Sequence, residues 1–181
     1  MLRQRAVQTI RNAGGNVDPA GTGLWVTLHS DAEVSACAGC LSWLSPVNVE
    51  LFGQGVTNES LRILGSDNAI VALQLSATRI TPAALGSVQL TNLTFLSFGS
   101  DLRLTPNVVA RLSHVPHLRT LSTMNAADVN GPMIEALRKL HALEYLELDF
   151  MECRLKGDDE ALVRVPRMIW DSLPGVLIAF E

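Results

Sequence analysis

Lysine is nearly absent from this chain of 181 residues: two lysines stand against twelve arginines, and the formal net charge is −4. That balance argues against a surface dominated by basic charge for binding nucleic-acid phosphates. Aromatics are equally scarce, nine in all, and cysteines number only Cys37, Cys40 and Cys153. Three is an odd and sparse set for a disulfide scaffold, so a reducing, cytoplasmic setting is expected. No stretch of about 18 uncharged apolar residues exists, which excludes a membrane-spanning helix. The opening MLRQRAVQTIRNAGG is basic but leads into no apolar run, so no secretory signal is read there.

Catalytic signatures are missing too. No serine sits in a G-x-S-x-G elbow, and no phosphate-cradling G-x-x-x-x-G-K-[ST] loop appears. The acidic run Asp158-Asp159-Glu160 reads as a solvated helix start rather than a cation site. No cofactor is expected, and the chain reads as non-enzymatic.

What the chain has in abundance is leucine, 28 residues, or about 15%. With 48% hydrophobic residues, disorder is excluded and one domain with a substantial core is expected. The leucines are periodic. Alternating segments begin at Val26, Val49, Leu73, Leu96, Leu121, Leu146 and Val176, spaced by 23, 24, 23, 25, 25 and 30 residues. Most carry an apolar residue three positions earlier, as in Ile70-Leu73-Leu75, Leu93-Leu96-Phe98 and Leu143-Leu146-Leu148. Between these strands the period lengthens toward that of a helix. Helices are predicted after Thr57, Thr81, Thr105 and Asn130 as N-caps, with Pro82, Pro106 and Pro132 in their first turns.

A strand, a capped turn and a short helix, repeated every 23 to 25 residues, resembles the leucine-rich repeat family. The bacterial form L-x-x-L-x-L-x-x-T-x-I-T-x-x-x-L-x-x-L is most similar at Leu73–Thr81. The resemblance covers about residues 20 to 181, and AVQTIRNAGGNV is similar to the capping segment that precedes such arrays. Gln54, Thr78 and Asp101 occupy the family's asparagine-ladder position. The family implies an α/β fold: a right-handed, horseshoe-shaped solenoid with parallel strands on the concave face and short helices on the convex face. Seven coils are read. One domain is expected, with a helical cap over 1–22, repeats over 23–156 and an atypical capping repeat over 157–181. In that last unit Pro166 should interrupt or kink the helix.

In such a solenoid alternate strand residues face outward. The outward set includes Trp25, His29, Glu50, Phe52, Gln74, Phe95, Met124, Tyr145, Glu147 and Asp149. Trp25, Phe52, Phe95 and Tyr145 are four of the nine aromatics, where proportional placement would put about one. Exposed aromatics with polar neighbours suit an interface, so a protein partner is expected on this face. Glu147 and Asp149 form an acceptor for a basic partner.

Two other readings stand beside it. Cys37-Ala38-Gly39-Cys40 has the C-x-x-C spacing of a redox pair or half a zinc site. A zinc site needs two more ligands, and His114 and His117, though spaced as a pair, fall three repeats away at the end of a different helix. The place of Cys37 and Cys40 in the first helix beside Leu41 and Leu44 favours buried structural cysteines instead. The final strand, ending at Phe180, offers an edge for homodimer formation through the C-terminal end.

Overall fold

A computed structural model of the chain describes residues 1–20, 23–65, 67–86, 89–99, 102–123, 130–149 and 159–180. Met124, Asp101, Cys153 and Asp158 lie outside these residues. Among them a single eight-stranded sheet forms in sequence order, open at both edges, with helices alternating between strands. The strands are β1 (Asn16–Ala20), β2 (Gly23–Ser30), β3 (Val47–Gly55), β4 (Ile70–Ser76), β5 (Phe95–Phe98), β6 (Thr120–Thr123), β7 (Tyr145–Leu148) and β8 (Leu177–Phe180). The helices are α1 (Leu2–Asn12), α2 (Asp31–Leu41), α3 (Asn58–Leu64), α4 (Pro82–Leu85), α5 (Pro106–Leu112), α6 (Gly131–Leu137) and α7 (Asp159–Ser172).

From β2 onward every pairing is parallel, and the register follows the repeat. Val26 lies opposite Val49, Val49 opposite Leu73, Leu73 opposite Leu96, Leu96 opposite Leu121 and Leu121 opposite Leu146. The last strand departs from expectation. Leu146 pairs with Ile178 rather than Val176, so the final spacing is two residues longer than the leucine pattern suggests. Face assignment survives because the side-chain period of a strand is two.

β1 is the second departure. The first 22 residues are not purely helical as expected: after α1 the chain forms a strand antiparallel to β2, with Asn16 opposite Thr27 and Ala20 opposite Gly23. Pro19 is tolerated there because the outer side of an edge strand needs no N–H donor.

Burial explains why the units hold together. Inward strand residues, including Val26, Leu28, Leu73, Leu75, Leu96, Phe98, Leu146 and Leu148, join helix residues such as Leu61, Leu85, Val109 and Ile134 in one buried cluster. That cluster runs from Ala6 and Ile10 in α1 to Val165, Ile169 and Leu173 in and just beyond α7. The helices therefore cover one face of the sheet. Each buried leucine contributes roughly 1.5–3 kcal/mol, but only when the adjacent unit supplies the opposing surface.

The helix starts follow local chemistry. Thr57, Thr105 and Asn130 cap α3, α5 and α6 by accepting from the backbone N–H of Glu59, Val108 and Met133. Thr81 precedes α4 without a side-chain cap bond; its backbone N–H and hydroxyl both engage Asn58 instead. At α2 the Glu33 N–H donates to the Ser30 cap oxygen at 3.3 Å, and the Glu33 carboxylate accepts from the Ser30 hydroxyl and, at 2.8 Å, from the His29 N–H. α7 runs through Pro166 without interruption, so of the two expected effects of this proline the break is not found.

The candidate binding face

The helix-free face of the sheet carries the candidate site. Cross-strand register sorts its side chains into rows. One row reads Trp25, Asn48, Ala72, Phe95, Thr120, Tyr145 and Leu177 across seven strands. The next reads Thr27, Glu50, Gln74, Ser97, Ser122, Glu147 and Ala179. The first row is apolar at intervals, and the second is polar and acidic with no cation in it.

Three of the expected aromatics share the first row but do not touch. Trp25 and Phe95 are three strands apart, about 14 Å at the usual strand spacing, and Tyr145 lies two strands beyond Phe95. All three are half-buried. Phe52 stands apart from them, 45% exposed, with its ring edge-on to His29 at a centroid separation of 6.0 Å.

The local backbone accounts for Phe52. Leu28 pairs with Leu51 but Ser30 pairs with Gly55, so β3 carries two more residues than β2 across this stretch. Gly53 takes φ +100°, and a Cβ on Gly55 would lie 2.6 Å from the His29 carbonyl oxygen. Both positions need glycine, and the G-x-G at 53–55 was the available sequence signal. The bulge presents Phe52 beside His29.

One polar contact joins neighbours in the second row, and another leads out of it. The Thr27 hydroxyl donates to Glu50 Oε2 at 3.0 Å, and Gln74 Nε2 lies 3.5 Å from Ser76 Oγ. Glu147 is half-buried in the same row. Asp149 does not join it as an open acceptor. It lies one residue past β7, only 8% exposed, with its N–H donating to the Thr123 carbonyl at 3.0 Å. The equivalent Gly99 is also buried, its N–H donating to the Leu75 carbonyl at 2.7 Å, because the chain turns away from the face at this position. Ala72 and Ser122 are covered as well, at 8% each. Short side chains sit here between longer row neighbours, Phe95 beside Ala72 and Glu147 beside Ser122.

The cysteines lie elsewhere. Cys37 and Cys40 are on α2, 0% and 5% exposed, and Cys40 Sγ approaches the Ala6 carbonyl at 3.9 Å. Burial, with the neighbouring Cys40 and Glu33 adding to it, pushes the Cys37 thiol up to about 11; burial raises Cys40 as well. His114 and His117 are exposed near the end of α5. Among the described residues no group of three or more His, Cys, Asp or Glu is arranged to hold a metal ion. Among them, too, no helix is long and apolar enough to cross a membrane.

Links between units went unread in the sequence. Asp31, the first residue of α2, accepts from both the backbone and the hydroxyl of Thr57, the cap of α3. Asn58 repeats this toward Thr81, at 2.8 Å to its N–H. Pro82 and Pro106 take the place of the bridging residue in α4 and α5, and proline has no side-chain acceptor. Gln54 Nε2 likewise reaches the next unit, donating to the Ala77 carbonyl at 2.7 Å.

No protein-family model matches the chain, and no curated protein matches it.

Proposed function

We propose that this chain is a leucine-rich repeat solenoid acting as a non-catalytic protein-binding module of the cytoplasm, with the helix-free sheet face as its contact surface. The carrying observation is Phe52, 45% exposed on a glycine-built bulge and braced by His29. A large aromatic held rigidly at the surface loses little entropy on binding and suits an interface anchor. The adjacent acidic row, Glu50 and Glu147, fits a partner that brings basic groups to an apolar contact. The buried thiols, raised above the ordinary range, support structural cysteines over a cysteine-based or zinc-dependent enzyme.

The test is affinity capture comparing wild type with the Phe52→Ala/Phe95→Ala double variant. The expected outcome is a partner retained by wild type and lost by the variant. Identical capture by both would overturn the reading.

One observation favours a second reading, self-association along the final strand. β8 is an edge strand bearing Leu177, 71% exposed, and Trp170 of α7 is 56% exposed although its ring meets Phe180 at 5.5 Å. Light scattering of wild type and Leu177→Lys separates the two: a concentration-dependent dimer abolished by the substitution supports it, and a monomer at every concentration dismisses it.

A further inference from the structure

The N-terminal helix carries charge opposite to that of the chain. α1 contains Arg3, Arg5 and Arg11 and no acidic residue, while the whole protein carries −4. Its buried side, Ala6 and Ile10, joins the core. Its other side borders a groove of about 490 Å³ lined by Arg3, Gln4, Val7, Gln8 and Arg11 with Leu24 of β2. Val7 and Leu24 are half-buried against the core and form an apolar floor. Arg3 and Arg11 stand at its two ends, eight residues and therefore about 12 Å apart along the helix. Among the described residues neither guanidinium has an ion-pair partner. Leu24 is one residue from Trp25 and so points to the opposite side of the sheet. The groove is therefore separate from the helix-free face.

We propose that the α1 groove is a docking site for an acidic peptide segment in which one apolar side chain is flanked by two carboxylates. Charge and spacing select that occupant. In an extended peptide, residues i, i+2 and i+4 share one side, and four residues span about 13 Å. A Glu-x-Leu-x-Glu segment thus sets its two carboxylates at the separation of Arg3 and Arg11, with leucine over Val7 and Leu24. Arginine binds carboxylate through paired, charge-assisted hydrogen bonds. Gln4 lies between the two arginines to meet the peptide backbone, while the Gln8 amide donates to Asn12 Oδ1 at 2.7 Å and leaves its oxygen as an acceptor. A nucleic acid is disfavoured by the apolar floor and by the chain's net negative charge. A membrane surface is disfavoured because the apolar residues between the arginines, Val7 and Leu24, are half-buried against the core, and the exposed Met1 and Leu2 lie outside the groove.

The probe is a fluorescein-labelled peptide, Ser-Glu-Ser-Leu-Ser-Glu-Ser, titrated with the full chain and followed by anisotropy. Saturable binding is expected, weakened by about tenfold or more in Arg3→Glu/Arg11→Glu and by less than about twofold in the charge-matched Arg164→Glu/Arg167→Glu. Circular dichroism of each variant confirms that its fold is retained, and replacing the peptide's leucine by serine should also weaken binding. The proposal is overturned by absent binding, by an unaffected Arg3→Glu/Arg11→Glu variant, or by equal affinity for the serine peptide. It is also overturned if anionic vesicles or single-stranded DNA bind more tightly with the same dependence on Arg3 and Arg11. None of these outcomes depends on Phe52 or Phe95.

Discussion

Asp31 and Thr57, 26 residues apart, are joined by two hydrogen bonds: the Thr57 N–H and hydroxyl donate to the Asp31 carboxylate at 2.9 and 2.6 Å. The buried hydroxyl of Ser60 donates to the same group. One carboxylate thus ties the start of α2 to the start of α3. Asp31→Ala should cost about 1–3 kcal/mol, because three donors lose their acceptor and one of them is fully buried. Urea denaturation of wild type and variant measures this.

The same contact predicts a pH dependence. Burial raises the Asp31 pKa, but the hydrogen bonds from Ser60 and Thr57 outweigh it and hold the carboxyl below its ordinary 3.8. A carboxyl lowered in the folded state contributes stability that is full above its unfolded value and is lost as pH falls through the folded one. The stability gap between wild type and Asp31→Asn should therefore hold at neutral pH and narrow below about pH 4. Denaturant midpoints for both proteins from pH 7 to pH 2.5 check the trend; a gap independent of pH would contradict it.

Phe95 and Phe98 test the alternation of a single strand. Phe98 is 0% exposed in the core, whereas Phe95 faces outward and is half-buried. Phe98→Ala should cost roughly 3–5 kcal/mol and Phe95→Ala about 1 kcal/mol. Equal costs in chemical denaturation would contradict the register of β5.

The thiols of Cys37 and Cys40 should be silent in the folded protein. With Cys37 pushed up to about 11 and both side chains buried, almost no thiolate is available at pH 8. Brief alkylation followed by mass-spectrometric mapping should leave both unmodified in buffer and modify both in urea. Rapid native labelling of Cys37 would bring the cysteine-based enzyme back into consideration.

Where a structural feature depends on spacing along the chain, the residues announced it. Inward positions from Val26 to Leu146 appear in register, and Thr57, Thr105 and Asn130 cap helices where a polar residue precedes an apolar run. The aromatics Trp25, Phe95 and Tyr145 were likewise placed on the outward face by alternation, whereas the exposure of Phe52 beside His29 depends on the bulge that follows it.

The leucine period and the cap residues determined the strands, the helix starts and the face to which each strand residue belongs. Those depend on contacts within a unit and on a side-chain period that the chain carries locally. Tertiary structure decided the antiparallel β1, the two-residue shift that pairs Ile178 with Leu146, the burial of Asp149 and the bridge from Asp31 to Thr57. Each depends on what an adjacent unit places opposite, and whether a residue at a strand end is exposed or buried depends on where the chain turns. The separation of Trp25, Phe95 and Tyr145 was decided in the same way: it is set across strands, where the sequence runs only along them.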